Sequence, residues 1–275
     1  MTLRTFFFTL ALPGTMLAQW PSYPAQGVPM GPDGKPNLNA PAPKTADGHP
    51  DFTGLWEPYR ERPVAPPKPV NDTSAGLGPV TPNTSQFFNI GVGLKEPIPF
   101  TPWAAALRKE RAAANNKDNP DAHCLPIGLT QLHMHPQPRK IVQTPGLMVM
   151  IYESNGGLRQ VFMDGRPLPK DPQPWWYGYS VGRWDGDTLV IETSGFRDDV
   201  WLDVEGSPLT ESGKTVERIR RPSFGIMEIE MTIEDPKAYS KPWKVNFKHR
   251  IMLNTELIEF ICNENEQDAP HLVAK

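Results

Sequence analysis

From Arg139 onward the chain falls into short runs of apolar and polar residues separated by turn-forming residues. The run Met227-Glu228-Ile229-Glu230-Met231-Thr232-Ile233-Glu234 alternates at every position. Successive side chains of a strand point to opposite faces, so this run predicts a strand with one buried and one solvated face. Trp243, Val245, Phe247, His249 and Ile251 repeat with the same period. Similar runs predict strands at 140–143, 147–153, 158–163, 177–184, 188–193, 215–221 and 256–262. The turns between them carry Thr144-Pro145-Gly146, Asn155-Gly156-Gly157, Asp164-Gly165 and Asp235-Pro236. No helical period interrupts the series. The expected fold class is therefore mainly β, an antiparallel meander over 139–263 that curls and closes into a barrel.

The stretch Tyr177 to Thr193 is the most legible part of the meander. Asp185-Gly186 is a preferred pair for a two-residue type I′ turn, which predicts that Trp184 faces Asp187, Val181 faces Val190 and Tyr179 faces Glu192. Tyr177, Tyr179, Arg183 and Glu192 then share one face, and Gly182, Leu189 and Ile191 the other.

Upstream, Asp51-Phe52-Thr53-Gly54-Leu55-Trp56 predicts a first docked strand. A Pro-rich connection over 62–100 is expected to wrap the domain surface. A helix over 102–114 follows, with Thr101 as cap, Pro102 at the first helical position and Asn115, Asn116 and Pro120 ending it. Residues 51–275 thus form a single barrel-like domain with one helix.

Composition adds a compartment. Arg4, the apolar run Phe6 to Leu17 and Met16-Leu17-Ala18 before Gln19 predict a signal peptide over 1–18 and export to the periplasm or beyond. The apolar run is too short for a membrane span, which needs about 20 residues. Residues 19–50, rich in Pro, Gly and Asn, predict an extended or disordered leader. The 33 prolines outnumber the 22 glycines, so connections should be stiff. A net charge of −3 with both signs dispersed leaves no basic stripe for nucleic acid. In an oxidising compartment the two cysteines, Cys124 and Cys262, are expected to pair.

Gly54-Leu55-Trp56 followed by a meander resembles the lipocalin and calycin type of barrel. Tyr152-Glu153, Asp164-Gly165-Arg166, the run Gly182 to Val190 and Cys262-Asn263-Glu264 resemble a group of exported bacterial proteins described as hypothetical, over most of residues 100–275. That resemblance implies no activity.

Three constellations offer chemistry. Glu153, Glu192, His135 and Tyr179 could transfer protons, with Arg166 and Arg183 steadying an anionic oxygen. In particular Glu153 is placed at the end of an apolar face shared by Leu147, Val149 and Ile151, where a carboxylate would bind its proton more tightly. Trp175, Trp176, Tyr177 and Trp184, with Arg139 and Arg159, could bind a flat or anionic ligand under a Pro-stiffened flap. His133 and His135 would share a face if their segment were a strand, which gives a metal site as the weaker alternative. There is no Gly-x-Ser-x-Gly elbow, phosphate loop or Cys-x-x-Cys. The expectation is an exported barrel with a pocket for a small molecule and no cofactor. It could act as an acid–base lyase, isomerase or hydrolase on an aromatic or sugar-derived substrate. The alternatives are a non-catalytic binding barrel and a structural envelope protein, and the contents of the barrel discriminate among the three.

Overall fold

The computed structural model describes residues 25–59 and 86–264; the segment expected to be a signal peptide and residues 62–85 of the expected Pro-rich connection lie outside them. Among these residues, eleven strands and two α-helices follow in the order β1 (Gly54–Pro58), α1 (Pro102–Ala113), α2 (Leu129–Met134), β2 (Arg139–Gln143), β3 (Leu147–Tyr152), β4 (Leu158–Phe162), β5 (Tyr179–Asp185), β6 (Thr188–Ser194), β7 (Val200–Trp201), β8 (Pro208–Leu209), β9 (Lys214–Ser223), β10 (Ile226–Glu234) and β11 (Trp243–Met252). Nine strands close a barrel in the order β1-β11-β10-β9-β6-β5-β4-β3-β2, and β7 and β8 form a separate small ladder.

The mainly β class and barrel closure are as expected, with two departures. The meander is not antiparallel throughout. Strand β4 runs parallel to β5, joined only through Val161–Ser180 and Phe162–Val181. Closure is also made by the early strand: β1 pairs with β11 through Trp56–Ile251 and with β2 through Trp56–Arg139. The strand expected at 256–262 does not form, and Ile258, Phe260 and Ile261 are exposed. With β1 between β2 and β11, every strand of the described barrel has two neighbours.

The β5–β6 hairpin turns at Gly186-Asp187, one step past the expected pair, with Asp185 opposite Thr188 and Tyr179 opposite Ser194. Gly186 has φ +59°, and glycine at the first central position characterises the type II′ alternative. The slip moves each partner by two residues, so the division of side chains between faces is preserved. The Tyr179–Glu192 pair is lost.

Both barrel ends are covered. Residues 25–50 of the expected leader run as a strap against one end of the barrel. Leu38 and Ala40 accept the backbone N–H groups of Gly225 and Phe224, and His49 stacks on Trp184 with ring centroids 4.4 Å apart. At the opposite end α2 is buried along its whole length. Its Thr130 hydroxyl donates to the Leu202 carbonyl at 2.6 Å and its Gln131 amide to the Trp201 carbonyl at 3.0 Å. Helix α1, capped by Thr101 as expected, packs outside this layer and buries only Ala104. The Cys124–Cys262 disulfide is present, with Cα atoms 5.5 Å apart, and fastens the C-terminal segment to the loop before α2.

Candidate functional site

The barrel interior is charged at its centre. Alternation along β9 turns Thr215, Glu217 and Ile219 inward, and alternation along β11 does the same for Val245, Phe247 and His249. Arg139 from β2 and Arg159 from β4 enter from the opposite wall, each 1 % exposed. Helix α2 lowers His133 into the same space.

Glu217 organises these groups. His133 donates through Nε2 to Glu217 Oε1 at 2.9 Å, and Arg159 Nη2 donates to Oε2. Burial alone would raise the Glu217 pKa, but the Arg159 charge and the His133 hydrogen bond outweigh it and hold the carboxyl at about 2. Arg159 also donates to Ser180 Oγ at 3.1 Å and Thr193 Oγ1 at 3.0 Å. Burial pushes His133 down to about 4 in spite of Glu217. The imidazole is therefore neutral near pH 7, and its Nδ1 accepts from Arg139 Nη1 at 2.7 Å.

Several interior groups are left incompletely bonded among the described residues, Arg159 at Nη1 and Thr215 at Oγ1 among them. Arg139 Nε and Nη2 are buried and make no hydrogen bond to a described residue. Burial lowers its pKa to about 10, so it stays charged at pH 7. His249 donates through Nε2 to the His133 carbonyl at 2.9 Å, and its Nδ1 is buried without a partner among the described residues. Burial drives His249 well below the ordinary imidazole range, so it too is neutral. The other buried carboxylates serve other segments: Asp203 accepts from Ile90 and Ser207, and Asp235 from Thr210 and Ala238. Among the described residues, Glu217 is thus the one buried carboxylate placed with Arg139 and Arg159.

A cleft of about 290 Å³ opens beside this centre, where β4 and the chain entering β5 diverge. Leu158, Arg159, Trp175, Trp176, Tyr177 and Arg197 line it. The parallel junction explains the opening, because only two residue pairs hold β4 to β5. Gly178, with φ +65°, turns Tyr177 out of the strand alternation; a Cβ there would lie 2.6 Å from Thr193 Cγ2. Gly157 leaves room for the Tyr177 ring, since a Cβ at that position would meet its hydroxyl at 2.8 Å. The Tyr177 hydroxyl is buried without a hydrogen-bond partner among the described residues, and burial pushes its pKa up. Arg197 stacks on Trp176 at 4.6 Å.

Of the residues expected to bind ligand, Trp175, Trp176, Tyr177 and Arg159 meet at the cleft. Arg139 lies inside the barrel, and Trp184 is covered by His49 at the far end. The residues expected to catalyse are dispersed. Arg166 is chelated by Asp164 on the outer surface and donates to the Tyr179 hydroxyl at 3.1 Å. Arg183 and Glu192 form an exposed pair at 3.0 Å. Glu153 stands half-exposed past the end of β3, accepting the Ile258 N–H at 3.3 Å. Its expected apolar face is the outer one: Met148, Met150 and Tyr152 point inward, and Leu147, Val149 and Ile151 outward.

His133 and His135 do not share a face, because their segment is the end of a helix rather than a strand. His133 has both ring nitrogens engaged, and His135 meets the Phe87 ring edge-on at 5.1 Å. Among the described residues no group of three His, Cys, Asp or Glu is placed to hold a metal ion. Sequence reasoning passed over Glu217, His133 as a carboxylate partner, and His249. The signal for His249 was present, since it occupies an apolar alternation along β11. No protein-family model matches the chain, and no curated protein matches it.

Proposed function

We propose that the protein is an exported barrel that binds a small, flat organic molecule in the cleft between β4 and the segment entering β5. The observation that carries this reading is the convergence of Trp175, Trp176 and Tyr177 on one opening beside Arg159. Aromatic walls with a few directed polar groups are the usual make-up of a small-molecule site. The unpartnered Tyr177 hydroxyl supplies one such group, suited to a phenolic or sugar-derived oxygen. Export is supported by the N-terminal sequence and is consistent with the disulfide. Binding is the simpler reading than turnover, since Glu153, Glu192 and His135 stand in three separate places.

The test is a screen of the purified, oxidised protein against phenolic and sugar-derived compounds, read by thermal shift and tryptophan fluorescence. A ligand should raise the melting temperature and quench fluorescence, and Trp175→Ala should abolish both effects without unfolding the protein. Trp175 is 44 % exposed, so its loss costs little packing. A ligand whose binding survives both Trp175→Ala and Trp176→Ala would place the site elsewhere.

A further inference from the structure

We propose that the barrel interior contains a second site, for a small carboxylate anion, built on Arg139. Burying a guanidinium is costly unless an anion and full hydrogen bonding accompany it. Arg139 is 1 % exposed, and its one hydrogen-bonded side-chain partner is the neutral His133 at 2.7 Å. Its guanidinium also lies over the Tyr152 ring at 5.5 Å, a contact with the π face that supplies no hydrogen bond. Glu217 does not complete it: its oxygens accept from His133 and Arg159, and Arg139 Nε and Nη2 make no hydrogen bond to it.

The two vacant donors identify the ligand class. Nε and Nη2 lie on one edge of the guanidinium plane, where their N–H bonds run side by side. That edge matches the two oxygens of a carboxylate, which Arg binds in a bidentate fork. One monoanion would balance Arg139 and Arg159 against Glu217. His249 adds no charge, being neutral, and its bare Nδ1 offers an acceptor to a ligand hydroxyl. The cleft is lined in part by Arg159 on β4, and Arg139 lies two strands away on β2. The site is independent of the aromatic reading of the cleft, and failure of the aromatic screen would leave it standing.

The probe is sodium acetate, titrated against sodium chloride at constant ionic strength on the oxidised full chain. Acetate should give a saturable rise in melting temperature, about 5–10 °C at a hundred times its dissociation constant. Arg139→Met should remove that response. Should this variant not fold, ¹³C-acetate NMR on the unmodified protein decides the question through a saturable bound signal that formate displaces. Acetate acting no differently from chloride and giving no bound signal would overturn the proposal, as would an undiminished response in folded Arg139→Met.

Discussion

His133, on a helix outside the sheet, and Glu217, midway along a barrel strand, are joined by a hydrogen bond of 2.9 Å. This contact pins the end-covering helix to the barrel's far wall. It also makes the helix position depend on a titratable pair, with consequences that solution measurements can reach.

Stability should fall on acidification before ordinary carboxylates titrate. His133 is held at about 4 when folded and returns to about 6.5 when unfolded, so between these values the unfolded chain binds the extra proton. Its contribution is complete above pH 6.5 and is lost as pH falls toward 4, about 3 kcal/mol in all. His249 acts in the same direction. Glu217, held at about 2 against 4.5, extends the loss below pH 4.5. Urea unfolding midpoints measured from pH 7 to pH 4 should decline steadily, and a flat profile would exclude a neutral buried His133.

The Cys124–Cys262 bridge closes a loop of 138 residues. The chain-entropy relation gives about 4–5 kcal/mol for such a loop. Cys262→Ser should lower stability by several kcal/mol and expose residues 253–264 to proteolysis, because few other contacts fasten that segment. Denaturant titration and limited digestion would show both effects.

Gly178 and Gly186 both have positive φ, at +65° and +59°, yet only Gly178 is enclosed. A methyl group there meets Thr193 Cγ2 at 2.6 Å and the Ser194 carbonyl at 2.9 Å, whereas at Gly186 nothing lies within 4 Å. Gly178→Ala should therefore cost about 2–4 kcal/mol and disturb the cleft aromatics, against about 1 kcal/mol for Gly186→Ala. Equal effects in thermal unfolding would contradict this packing.

Glu153→Gln and Glu192→Gln should each change stability by less than about 0.5 kcal/mol. Both side chains face solvent on the outer surface, and neither reaches the cleft or the interior charges. Ligand titrations on the two variants should match the parent protein.

The strands were legible because their faces differ: β10 and β11 declare their buried sides by strict alternation. Strand β3 was legible as a strand but not in its orientation. Its six residues, Leu147 to Tyr152, are all apolar, so periodicity carries no information about which face turns inward. That ambiguity placed Glu153 beside an apolar face that proves to be outside. Helix α2 was hidden because six residues show little period, and Pro136 and Pro138 beside it read as loop. The aromatic cleft was partly visible as the Trp175-Trp176-Tyr177 cluster. The Glu217 centre was not, since its members come from α2, β2, β4, β9 and β11, and only closure of the barrel brings them together.

Closure by β1 also bears on how the chain reaches this structure. Trp56 pairs on one side with Arg139 and on the other with Ile251, so the ring cannot close until the last barrel strand has been made. Contacts between such distant parts of a chain form slowly, because loop entropy is lost before they are gained. The enclosed interior around Arg139 therefore requires both the first and the last of the described barrel strands.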